Sequence, residues 1–80
     1  MTTTIIQPGQ TVIFDTREGG DTVVLINNSD EVASYSASID GGEPQDGNLN
    51  PGVSLAIDIV GASTVAFTNT GDVPIEAQFS

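Results

Sequence analysis

Between Gly52 and Gly61 the chain reads Val53-Ser54-Leu55-Ala56-Ile57-Asp58-Ile59, apolar at every second position. A period of two places Val53, Leu55, Ile57 and Ile59 on one face of a strand and Ser54, Ala56 and Asp58 on the other. The same alternation runs through Ala33, Tyr35, Ala37 and Ile39, through Val65 and Phe67, and through Ile75, Ala77 and Phe79. No segment sustains a helical period. Breakers punctuate the runs: Glu18-Gly19-Gly20-Asp21, Asn27-Asn28-Ser29-Asp30, Gly61-Ala62-Ser63 and Thr70-Gly71-Asp72. With a further strand over Thr3 to Gln7, the pattern predicts an all-β chain: a small seven-stranded antiparallel β-sandwich or flattened barrel, forming one domain over residues 1–80.

The chain also says nearly the same thing twice. Gln7-Pro8-Gly9-Gln10-Thr11-Val12-Ile13-Phe14-Asp15 lies over Asn50-Pro51-Gly52-Val53-Ser54-Leu55-Ala56-Ile57-Asp58. After a one-residue change of offset, Thr22, Val23, Asn27 and Asp30 meet Thr64, Val65, Asn69 and Asp72. The spacing predicts a pseudo-repeat of about forty residues, with halves 7–40 and 50–80 behind an N-terminal arm at 1–6. Each Pro-Gly pair predicts a type II turn, since proline fixes φ at the first central position and glycine accepts positive φ at the next. The expected core is Ile5, Val12, Phe14, Val23, Leu25, Tyr35, Ile39, Leu55, Ile57, Val65, Phe67, Ile75 and Phe79. The continuous run Val23 to Ile26 predicts a central strand or one covered on both sides. Residues 40–52, rich in Gly, Asp and Asn, read as a long irregular loop between the halves.

Eighty residues lie near the size at which a lone hydrophobic core becomes marginal. There is no cysteine for a disulfide and no histidine for a structural zinc site, so self-association or docking on a larger partner is the expected support. Eleven acidic residues face one base, Arg17, giving a formal charge of −10. Such a surface repels phosphate backbones and anionic headgroups, which excludes nucleic acid and membrane surfaces as partners. The start, Met1-Thr2-Thr3-Thr4-Ile5-Ile6, carries no basic region and no long apolar run, so no export signal is expected there.

Catalysis is not expected. Nucleophilic chemistry needs a base beside the nucleophile, and the serines here have no histidine, cysteine or lysine to activate them. Calcium is the one cofactor the sequence raises: Asp46, Asn48 and Asn50 alternate, with Asp40 and Glu43 close by, and these are hard oxygen ligands. The same residues are also ordinary turn formers. Arg17 could clamp a carboxylate on a partner, or it could be a solvated turn residue paired with Glu18 or Asp21. The leader Thr2, Thr3, Thr4, Ile5 and Ile6 has the β-branched content of a strand that adds to a sheet edge, either a partner's or its own.

The stretch from Pro51 to Phe79, PGVSLAIDIVGASTVAFTNTGDVPIEAQF, resembles the turn–strand grammar of immunoglobulin-like and jelly-roll virion accessory modules. In size, acidity and lack of cysteine the whole chain is similar to small all-β decoration (cement) proteins of tailed-phage capsids. That resemblance implies a non-catalytic structural protein at the capsid surface of the virion, assembled in the host cytoplasm. It further implies docking on the major capsid protein or on copies of itself, as a homo-oligomer with a trimer favoured. The competing expectation is a calcium-dependent or carbohydrate-binding β-sandwich module of an adhesin.

Overall fold

A computed structural model describes residues 2–80. Eight strands form: β1 (Thr2–Ile6), β2 (Thr11–Asp15), β3 (Thr22–Ile26), β4 (Ala33–Ile39), β5 (Gln45–Leu49), β6 (Ser54–Asp58), β7 (Thr64–Asn69) and β8 (Ile75–Phe79). One 3₁₀ turn at Thr16–Glu18 is the single departure from strand and loop among the described residues. No helix there is long and apolar enough to cross a membrane.

The strands make two four-stranded antiparallel sheets, ordered β1-β8-β3-β6 and β2-β7-β4-β5. Only β4 and β5 are joined as a hairpin, and every other connection carries the chain from one sheet to the other. An immunoglobulin sandwich would pair its first two strands, whereas here β1 and β2 lie in different sheets. The order is that of an eight-stranded jelly roll. It can be built by folding one long hairpin: β4·β5, β3·β6, β2·β7 and β1·β8 are its successive rungs, and β8·β3 and β7·β4 close the sheets.

The strand beyond the seven expected, β5, lies inside the stretch expected to be an irregular loop. Asp40 and Gly41 both have positive φ, 52° and 74°, and Gly42 N donates to Ile39 O at 2.9 Å. These are the marks of a type I′ hairpin turn, the type that matches strand twist and favours Asp-Gly. The chain then pairs back as β5, Ala37 with Gln45 and Ala33 with Leu49. The polar sequence Gln45-Asp46-Gly47-Asn48-Leu49 has no strand signal of its own. It is a strand because β4 presents it with a ladder. Gly47 serves that ladder through its missing side chain, since a Cβ there would sit 2.4 Å from the Tyr35 ring.

The two Pro-Gly turns form as the sequence predicts. Gly9 and Gly52 have φ of 83° and 75°, and Gln10 N and Val53 N close the turns onto Gln7 O and Asn50 O at 2.9 and 3.0 Å. The core between the sheets holds Phe14, Val23, Leu25, Val65, Phe67, Ile75 and Phe79 as expected, with Val12, Tyr35 and Ile57 half-buried against it. Three expected members are exposed: Ile5, Ile39 and Leu55. β1 runs from Thr2 rather than Thr3, and the sheet buries Ile6 in place of Ile5, because a one-residue shift exchanges the faces of a strand. Ile39 closes β4 at the hairpin turn, and Leu55 lies on β6, an edge strand paired only with β3. Leu49, Ile59, Val73, Ala33, Ala37 and Ala77 complete the core. β3 is central, but it is not covered on both sides, since Val24 and Ile26 remain half-buried on the outer face.

Candidate functional site

Phe14 meets Phe67 edge-on at 6.0 Å between ring centroids and Phe79 at 5.2 Å, filling the centre. A hollow of about 300 Å³, lined by Thr2, Glu18, Gly19, Gly20, Phe79 and Ser80, opens at one end of the sandwich. A second, of about 170 Å³, lies beside Ile5, Asn28, Ser29, Pro74 and Glu76. Among the described residues neither brings an acid and a base together with a nucleophile.

The sheet edges and outer faces carry other candidate residues. Four strands are sheet edges: β1, β6, β2 and β5. Three of them carry an acid within the strand, Asp58, Asp15 and Asp46 respectively, and β5 is also preceded by Pro44. Charged residues and proline are the usual protection of an open edge against pairing. β1 has none of these devices. Thr2-Thr3-Thr4-Ile5-Ile6 is uncharged and β-branched throughout, pairs with β8 along one side only, and keeps an unbroken register from Thr2 opposite Phe79 to Ile6 opposite Ile75. Thr3 and Ile5 face outward, and Ile5 is 46% exposed. Across β8, Glu76 lies between Ile5 and Ile26, with its carboxylate accepting from Gln78 Nε2 at 2.8 Å. The leader is thus built into its own sheet and still presents a free strand edge.

The outer face of the other sheet is lined with hydroxyls. Thr11, Thr64 and Thr68 are joined there by Ser34, Ser36 and Ser38, with Asp46 and Asn48 along the β5 edge. Thr11 and Thr68 hydroxyls share a 2.8 Å hydrogen bond, and Ser34 Oγ donates to Asn48 Oδ1 at 2.9 Å.

Arg17 has a partner that sequence reasoning missed. In the 3₁₀ turn its Nε donates to Asp15 Oδ1 and Oδ2 at 3.0 and 3.1 Å, and its Nη2 to Oδ2 at 2.6 Å. The turn is itself capped by Asp15, which accepts from Arg17 N at 2.9 Å. These side-chain and backbone hydrogen bonds, helped by the guanidinium charge, hold the Asp15 carboxyl below the usual carboxylate range, and burial opposes them only in part. The same bonds raise the Arg17 guanidinium above its ordinary value. The expected partners, Glu18 and Asp21, are not used. Arg17 is 82% exposed, so the pair leaves a solvated clamp whose acceptor is already filled.

The five candidate calcium ligands do not converge. Asp40 is exposed at the hairpin turn and reaches across to the start of β7, its Oδ1 accepting from Ser63 N at 2.7 Å and Thr64 N at 2.9 Å. Asp46 and Asn48 project from the outer face of β5, Glu43 is exposed beyond the hairpin turn, and Asn50 lies in the Pro-Gly turn. Among the described residues no three Asp, Glu, His or Cys side chains come together as a metal cage.

Two buried amides were not singled out by the sequence. Asn27 and Asn69 are almost wholly buried. Asn27 Nδ2 donates to Glu31 O at 2.7 Å and to Leu49 O at 2.9 Å, while Asn69 Nδ2 donates to Val73 O at 2.7 Å and to Ile6 O at 2.9 Å. The signal was present in their alignment with each other across the two halves, but asparagine beside a breaker reads first as a turn residue.

No family model and no curated protein matches the chain. Among solved structures it is similar to a de novo designed double-stranded β-helix determined by solution NMR, with 23% sequence identity and a TM-score of 0.51. That match covers 95% of this chain and 90% of the designed one. The likeness concerns the fold alone.

Proposed function

We propose that the protein is a non-catalytic structural assembly protein that joins a protein lattice through the open edge of β1. The most concrete form of this reading is a decoration, or cement, protein at the surface of a tailed-phage capsid. Its partners would be the major capsid protein or copies of itself, and its working form a homo-oligomer, with a trimer favoured. One observation carries the reading: β1 is the only edge strand among the described residues without a charged residue, on a chain of formal charge −10. An edge that lacks protection while the rest of the surface is strongly charged suits selective strand addition better than solubility alone. We also read residues 7–40 and 50–80 as an internal repeat of about forty residues, supported by the matched Pro-Gly turns and the matched buried amides.

Sedimentation velocity at rising concentration and salt tests the assembly reading. Copies that each carry ten net negative charges repel, so self-association through an uncharged edge should strengthen as salt screens that repulsion. Thr3→Lys, on the outer face of the edge, should abolish association while leaving the thermal midpoint unchanged. A protein that remains monomeric at millimolar concentration at every salt level, and that capsid shells do not retain, would rule the reading out. The hydroxyl-lined face favours a second reading, a carbohydrate-binding module of an adhesin. Thermal melting with calcium or with oligosaccharides addresses it, because a ligand that binds only the folded state raises the midpoint.

A further inference from the structure

Dividing the chain at the Asp40-Gly41 turn gives one half with β1 to β4 and another with β5 to β8. All six strand pairings, β1·β8, β8·β3, β3·β6, β2·β7, β7·β4 and β4·β5, join a strand of one half to a strand of the other. Among the described residues neither half contains a single strand pair of its own.

Bonds outside the ladders also cross between the halves, and several come as reciprocal pairs. Gly9 N donates to Asn69 O and Gly52 N to Asn27 O, at 2.8 and 2.9 Å. Asn69 N donates to Gln10 O and Asn27 N to Val53 O, both at 3.0 Å. At the opposite end Thr16 N donates to Ser63 O and Ile59 N to Asp21 O, at 3.0 and 2.8 Å. Each buried amide reaches across as well, Asn27 to Leu49 O and Asn69 to Ile6 O. In these four sets each half receives from the other the bond that it gives.

We propose that the two halves are complementary binding partners, and that the half each accepts can come from a second copy of this chain. The only covalent link between them is the short connection from Asp40 to Pro44. If it extends instead of turning, β5 to β8 of one copy are handed to β1 to β4 of another, and every strand pairing of the single chain is remade between copies, at the loss of the Gly42 N to Ile39 O turn bond. A closed turn keeps the two halves at an effective concentration near the millimolar range, so single molecules dominate at lower concentrations. A connection that cannot turn removes that advantage and leaves a half-exchanged dimer. This inference is independent of the β1 edge, and Thr3→Lys leaves it untouched.

Gly41→Pro is the direct test. Gly41 needs φ of 74°, which proline cannot adopt, and a Cβ at this position would meet no other atom within 4 Å. The variant should be a folded dimer of twice the monomer mass with the wild-type circular dichroism spectrum. Refolding isotopically heavy and light batches together should give mixed dimers by native mass spectrometry. In a second measurement, a protease site is inserted between Gly41 and Gly42 of the full chain, and the protein is cut after folding. In the Thr3→Lys background, which removes association through β1, the cut halves should remain one particle, with a melting midpoint that falls on dilution, whereas the uncut protein's midpoint stays fixed. Halves that part at millimolar concentration, folded or not, overturn the proposal. So does a Gly41→Pro chain that is a folded monomer, or that stays unfolded where the cut halves remain joined.

Discussion

The turns after β3 and β7 solve one problem with different residues. In each, a buried asparagine donates to two carbonyls and its Oδ1 accepts from the backbone two residues on, Ser29 N at 2.9 Å or Gly71 N at 3.0 Å. After β3 the residue is serine, and its single hydroxyl proton lies within reach of Asn27 Oδ1 at 2.6 Å and Glu31 O at 2.9 Å. After β7 it is glycine, because a Cβ at Gly71 would lie 2.9 Å from Ser34 N, at the start of β4. The shared part of the device is the amide. The residue beside it is set by what passes overhead.

Removing the amides should have the largest effect. Asn27→Ala and Asn69→Ala each strand two backbone carbonyls, and an unsatisfied buried polar group costs about 1–3 kcal/mol. Urea unfolding should show each variant destabilised by roughly 2–4 kcal/mol with an unchanged slope. Similar losses would support equivalent latches. A loss confined to one variant would break the comparison, leaving one asparagine as a latch and the other as a bystander.

Exchanging the neighbours comes next. Ser29→Gly makes the first turn resemble the second and removes only hydroxyl bonds at a partly exposed site, costing about 1 kcal/mol. Gly71→Ser makes the second resemble the first and forces a side chain against the Ser34 backbone, costing roughly 1–3 kcal/mol. The chemical changes are mirror images, so the larger loss for Gly71→Ser would isolate the close approach of β4 as the cause. Equal losses in urea melts would assign both to hydrogen bonding.

Much of this architecture was legible in period and punctuation. The strands around Leu55, Phe67 and Ala77 announce themselves by alternation, and Pro8-Gly9 and Pro51-Gly52 specify their turns through φ alone. β5 was not legible, since Gln45 to Leu49 is polar and holds a glycine. Its strand state comes from β4 and from Tyr35 lying over Gly47. The clue that was available was Asp40-Gly41, a hairpin signal embedded in what otherwise reads as a loop. The missed hairpin also explains the scattered calcium candidates. Once residues 45–49 are a strand, Asp46 and Asn48 point outward while Asp40 is committed to Ser63 and Thr64. Ile5 and Ile6 show the other limit, for two adjacent isoleucines do not say which one faces the core until the register is fixed. The leader was legible as a strand through its β-branched content, and the structure places it at an edge of its own sheet.

The smallest expected effect also compares the halves. Asp15 and Asp58 each accept from the backbone N–H two residues on, Arg17 N and Val60 N, both at 2.9 Å. Only the first adds a guanidinium, so Arg17→Val gives the first half the second half's arrangement. The Asp15 carboxyl, held below the ordinary range chiefly by the Arg17 side chain, should then titrate at a higher pH in side-chain carbon NMR. The sign for stability follows from linkage. A carboxyl whose folded pKa is depressed contributes stability above its unfolded pKa, and that contribution disappears as pH falls through the folded value. Acidification should therefore cost the wild type slightly more than Arg17→Val, and the two should converge at the acid end of the titration. The pair is exposed, so added salt should shrink the difference. An Asp15 titration unmoved by Arg17→Val would mean that the backbone cap alone sets it, and that the two turns are electrostatically the same.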